Sequence, residues 1–73
     1  MILVSENSTA DNGMKVQSTV HLSLEDLGKV ARPFFVQASV DNSPLFHAYC
    51  FTEAEAKLIR ERMHASYLEV HAS

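Results

Sequence analysis

Two stretches of strict alternation constrain this chain more than any other feature. In Met14 to Leu22, Met14, Val16, Ser18, Val20 and Leu22 point one way, and Lys15, Gln17, Thr19 and His21 point the other. In Phe34 to Val40, Phe34, Val36, Ala38 and Val40 stand against Phe35, Gln37 and Ser39. A period of two places successive side chains on opposite sides of an extended backbone, so each stretch predicts a strand with one face buried. Asp41-Asn42-Ser43-Pro44 is turn-forming by composition, and Leu45 to Phe51 follows as the second arm of a hairpin.

The period changes at Thr52. Thr52-Glu53-Ala54-Glu55 is a capping box: the threonine hydroxyl can accept from the backbone three residues on, and two acids sit where the helix dipole favours them. Ala56, Ile59, Met63, Tyr67 and Val70 then recur at three- and four-residue spacing, widened by Leu58 and Leu68, which predicts one long helix with an apolar stripe. Ser23-Leu24-Glu25-Asp26 opens a shorter helical pattern over 24–31, weakened by Gly28 and ended by Pro33. Ahead of the strands, residues 5–13 are polar and end in the Asn12-Gly13 turn signal, so residues 1–13 are expected to be a flexible arm or a weak edge strand with a turn.

These elements define an α+β class: a small two-layer domain over 14–73. Its three-stranded, at most four-stranded, antiparallel sheet packs on the C-terminal helix. With 73 residues there is room for one core, and its stability is marginal enough for a partner or second copy to matter.

Charge and residue inventory narrow the function. Six Lys and Arg stand against nine Asp and Glu, a net charge of −3. Nucleic-acid affinity rests on neutralising phosphates, so a nucleic-acid partner is disfavoured, as is an anionic membrane surface. The single cysteine, Cys50, excludes an internal disulfide. The opening Met1-Ile2-Leu3-Val4-Ser5-Glu6 lacks the cationic end and long apolar stretch of a signal peptide, and no apolar run reaches a membrane span, so a cytoplasmic, soluble protein is expected.

No constellation reads as catalytic. Cys50 paired with a histidine could make a thiolate nucleophile, but it lies between apolar hairpin residues, where cysteine is usually inert. Glu53 and Glu55 are explained by the capping box. The four histidines, His21, His47, His64 and His71, lack zinc-site spacings; His21 and His47 could meet across neighbouring strands but would need a third ligand. Lys57, Arg60 and His64, with Glu61 beside them, read as a solvated, ion-paired helix face. No metal, cofactor or enzymatic activity is expected.

The remaining feature is the second face of the sheet. If the helix covers the Phe34–Val40 phase, Phe35, His47 and Tyr49 form an outward aromatic patch, unless residues 24–31 or the N-terminal segment fold over it. Exposed aromatic patches mark contact with something. The expectation is therefore a non-enzymatic protein that binds another protein. Size and sign of charge suit a phage or mobile-element inhibitor of a host complex, of the anti-CRISPR kind. Candidate contact residues are Phe35, His47 and Tyr49, with the acids Asp41, Glu53, Glu55 and Glu61 suited to a surface that otherwise meets nucleic acid. The alternatives are a nucleic-acid-binding regulator using the sheet aromatics, and a homodimeric structural subunit joined through the Phe35–Tyr49 face or an edge strand.

Overall fold

A computed structural model describes residues 1–23 and 32–70. Four strands come first: β1 (Ile2–Thr9), β2 (Lys15–Leu22), β3 (Phe34–Val40) and β4 (Ser43–Cys50). One helix, α1 (Glu53–Val70), follows. Each strand pairs antiparallel with its chain neighbour, so the sheet order is β1-β2-β3-β4. The expected α+β architecture is present with the larger of the two strand numbers. The helix expected over 24–31 lies outside the described residues.

The N-terminal segment is an edge strand and not an arm. It pairs with β2 from Val4↔Val20 to Thr9↔Lys15, and a register shift between Ile2 and Val4 leaves Leu3 as an extra, bulged residue. Its turn uses the Asn12-Gly13 signal: Gly13 takes a positive φ of 89°, and Met14 N–H donates to Asn12 Oδ1 at 3.0 Å. The β3–β4 hairpin is tighter than its composition suggests. Asp41 and Asn42, with φ of 48° and 66°, form a two-residue turn of the left-handed type that suits the strand twist. Strand β4 therefore starts at Ser43, ahead of the expected Leu45. Pro44, which has no N–H to donate, is tolerated because β4 is an edge. The pairs Ala38↔Phe46 and Ser39↔Pro44 leave Leu45 bulged between them.

The inward face carries Val16, Ser18 and Val20 from β2 and Val36, Ala38 and Val40 from β3, all buried. Cys50 and Ala56 complete the core, with Phe34, Phe46 and Ile59 packed at its margin. These side chains are small. Ala56, packed with Val20 and Val36, lets α1 lie close on β2 and β3. None of the six Phe and Tyr side chains is buried.

The helix begins where the capping box places it, with Glu55 N–H donating to Thr52 Oγ1 at 3.2 Å and Glu53 paired to Lys57 at 3.3 Å. Its inward stripe keeps the expected Ala56, buried, and Ile59, Met63 and Tyr67, half-buried, but differs at its margins. Val70 is 66% exposed and Leu58 48% exposed, whereas His64 is 2% exposed and Arg60 is largely covered. The Arg60–His64 face is thus turned into the fold and is not solvated. The inward side is widened by these two polar residues because β1 and β2 present polar partners, Glu6, Ser8 and Ser18, to them.

Candidate functional site

The outer face of the sheet, opposite α1, is built by the odd-numbered phase of each central strand. Phe35 on β3 lies directly across from His21 on β2 and from Tyr49 on β4, so one row of rings crosses three strands. His47 stands two pairs further along β4, on the same face and opposite Gln37. Ring centroids are 5.0 Å apart for Phe35–Tyr49, 6.0 Å for Phe35–His47, 6.1 Å for His21–Phe35 and 6.4 Å for His47–Tyr49. Tilted and edge-on arrangements at these distances are the favourable ones for aromatic pairs. His21 is further oriented by a 3.0 Å hydrogen bond to Thr19. Tyr49 remains 60% exposed and His47 is also exposed. Just beyond β4, exposed Phe51 lies under the Arg32 guanidinium, 4.4 Å from ring centre to Cζ.

Phe35, His47 and Tyr49 are therefore brought together as expected, and His21 joins them. His21 and His47 do not meet: β3 runs between their strands, and Phe35 separates the imidazoles. Among the described residues no three His, Cys, Asp or Glu side chains are grouped as metal ligands.

The four acids are not part of this ring cluster. Asp41 serves the hairpin end: its N–H donates to Lys15 O at 2.8 Å and its Oδ1 accepts from Lys15 N–H at 2.9 Å, extending the β2–β3 ladder by one step. Glu53 and Glu55 occupy the first helical turn, and Glu61 is exposed along α1. Glu53, Glu55 and Glu61 thus belong to the helical layer, on the other side of the sheet.

A second cluster, absent from the expected sites, lies beneath the helix. His64 Nδ1 is 2.8 Å from Ser18 Oγ, and its Nε2 is 2.8 Å from Ser8 Oγ and 3.3 Å from Glu6 Oε2. Arg60 Nη1 reaches Glu6 Oε1 at 2.7 Å and Ser18 Oγ at 2.9 Å. Ser18 is fully buried, and Arg60 Nε is buried with no protein partner among the described residues. Burial holds the His64 imidazole below its ordinary range; Glu6 opposes that and Arg60 adds to it. The hydrogen bond from Arg60 holds the Glu6 carboxyl below the usual carboxylate range. Burial, with Glu55 nearby, pushes the Cys50 thiol up, against a smaller opposing pull from Arg32.

One signal in the sequence could have found this cluster. Ser18 occupies an inward position in an otherwise apolar phase, and a buried hydroxyl requires a partner. Arg60 and His64, one helical turn apart, are the residues that supply it.

No family model matches the chain, and neither a curated protein nor a solved structure does. Among the described residues no helix is long and apolar enough to cross a membrane.

Proposed function

We propose that this chain acts without catalysis, by binding another protein through the outer face of its sheet. The observation that carries the reading is the distribution of its aromatic side chains. A small domain ordinarily buries its largest apolar groups. Here the fully buried positions are valines, alanines and other small residues, while four rings cluster on a face that no described element covers. Tyr and Phe are the residues that dominate the centres of protein interfaces, because each adds a large contact area at low entropic cost.

A protein partner suits this face better than a nucleic acid. Stacking of bases on rings needs a cationic border to neutralise the phosphates. Among the described residues, Lys15 and Arg32 are the basic side chains adjoining the outer face, in a chain of net charge −3. An occluding inhibitor of a larger assembly is the form of this activity that a 73-residue chain with one open face suits.

Substitution of the two exposed rings tests the reading without touching the core. His47→Ala/Tyr49→Ala is expected to remain folded and to lose a partner that co-purifies stoichiometrically with the wild type, while Glu61→Lys on the helix retains it. A partner lost with Glu61→Lys and kept by the double variant would move the binding surface to α1. Saturable binding of short single-stranded DNA or RNA at low salt, where non-specific affinity is strongest, would replace the protein partner with a nucleic acid.

A further inference from the structure

Five side chains from three elements close a ring of hydrogen bonds under α1, and its direction can be followed atom by atom. Arg60 can only donate. Its Nη1 carries two hydrogens and has two acceptors in reach, Glu6 Oε1 at 2.7 Å and Ser18 Oγ at 2.9 Å. Ser18, accepting from Arg60, gives its own hydrogen to His64 Nδ1 at 2.8 Å, so that nitrogen carries no proton. The proton of the neutral imidazole is then on Nε2, where it meets Ser8 Oγ at 2.8 Å. Ser8 in turn donates toward Glu6 Oε2 at 3.5 Å, which closes the ring on the carboxylate that Arg60 already holds. This direction also denies Ser8 a base: His64 donates to it and does not accept its proton, the reverse of a nucleophile–base pair.

We infer that the ring is an acid-sensitive latch that holds edge strand β1 against the helix. A second proton on His64 would sit on Nδ1 and point at a Ser18 oxygen already engaged by Arg60. The Ser18 hydrogen would then lose the acceptor it has in the ring, in a fully buried position, and an imidazolium would stand beside a guanidinium. Leaving a buried donor unsatisfied costs on the scale of a lost hydrogen bond or more. The charged groups facing His64 are Glu6 from β1 and Arg60 from its own helix, while β2 presents the Ser18 hydroxyl. Glu6 favours the imidazolium, but it is about half exposed and already engaged by Arg60. Strand β1 is what the latch holds: beyond Leu3 and Val4 at its start, its inward side chains are Glu6 and Ser8, which meet the helix through Arg60 and His64. As the edge strand over the imidazole, it is the one whose departure would give a charged His64 access to water. Strands β2 and β3 are held by the buried valines and Ala38.

Amide hydrogen exchange followed by NMR, corrected for intrinsic rates, tests this at about pH 7.5 and about pH 5, a window that spans ordinary histidine titration and stays above that of Glu6. Protection of β1 amides is expected to fall at least about tenfold more than that of the β2–β3 amides, and His64→Gln is expected to abolish the difference. Should His64→Gln not fold, Ser8→Ala cuts the ring at β1 alone and is expected to lower β1 protection already at the higher pH. Loss of protection in step across all four strands, or an unchanged pH response in His64→Gln, would overturn the latch. So would nitrogen shifts placing the His64 proton on Nδ1 at the higher pH.

Discussion

Ser18 shows how one side chain can redirect a fold's interior. Its place in the alternation marks it as inward-facing, and its hydroxyl there needs both a donor and an acceptor. Arg60 and His64 meet that need, which draws two polar residues of α1 onto the sheet side of the helix, beside Ala56, Ile59 and Met63. The sequence contains the demand but not its solution, since which strand edge and which helix face would meet depends on tertiary placement. Removing the hydroxyl should therefore cost more than a typical surface change. Ser18→Ala is expected to lower the unfolding free energy by about 1–3 kcal/mol, because it strands His64 Nδ1 and one Arg60 hydrogen. Urea denaturation checks this, and a loss below a few tenths of a kcal/mol would mean that the ring does not stabilise the fold. The pH dependence follows from the same ring. His64 has its folded-state value lowered, so its contribution is fully present above about pH 6.5 and declines as the pH falls below that. Glu6, also lowered, adds a second loss that begins below its ordinary carboxylate range. Denaturation midpoints should accordingly drop between about pH 7.5 and 5.5 in the wild type, and much less in His64→Gln. Cys50 is a simpler case: with its thiol buried and its ionisation disfavoured, it is expected to react with an alkylating reagent only on unfolding.

At the scale of elements, legibility tracks the chemistry of the buried face. Strands β2 and β3 alternate apolar with polar and could be read directly. Strand β1 could not be told from an arm, because its inward positions, Glu6 and Ser8, are polar and look like loop residues until the ring is seen. The start of β4 was obscured by Pro44, a turn residue by composition that an edge strand accommodates. The start of α1 was visible in its capping box, and Thr52→Ala is expected to cost about 1 kcal/mol through loss of the bond to Glu55 N–H. Asp41 makes a parallel point among the acids proposed for binding. Its two bonds to the Lys15 backbone give it a role in joining β2 to the hairpin end. Asp41→Ala is expected to destabilise by about 0.5–1.5 kcal/mol, whereas Glu61→Ala, exposed on the helix, should leave the melting temperature nearly unchanged. Equal effects of the two substitutions would contradict that assignment.

For the whole molecule, the organising fact is a core of small side chains, with Phe34 and Phe46 only at its margin, and a cluster of four rings on the open face of the sheet. The alternation made Phe35, His47 and Tyr49 legible as one group, and the strand order adds His21 by placing it beside Phe35. The acids Glu53, Glu55 and Glu61 do not share that face, so an electronegative mimic built from both sets is not supported by their arrangement. On the proposed reading, the partner of this face is set by a surface in another molecule, which no pattern within this chain encodes. A second copy is one such surface, and sedimentation at increasing concentration would reveal it as a mass that doubles in the wild type but not in His47→Ala/Tyr49→Ala.

The most direct test of the central claim is radical footprinting by mass spectrometry, applied to the isolated chain and to the chain assembled with its partner from source cells. Tyr49 and Phe51 are expected to be oxidised readily in the isolated chain and protected on assembly, with Leu58 on the helix labelled equally in both. Protection of Leu58 with Tyr49 unchanged would contradict the claim and place the partner on the other layer of the fold.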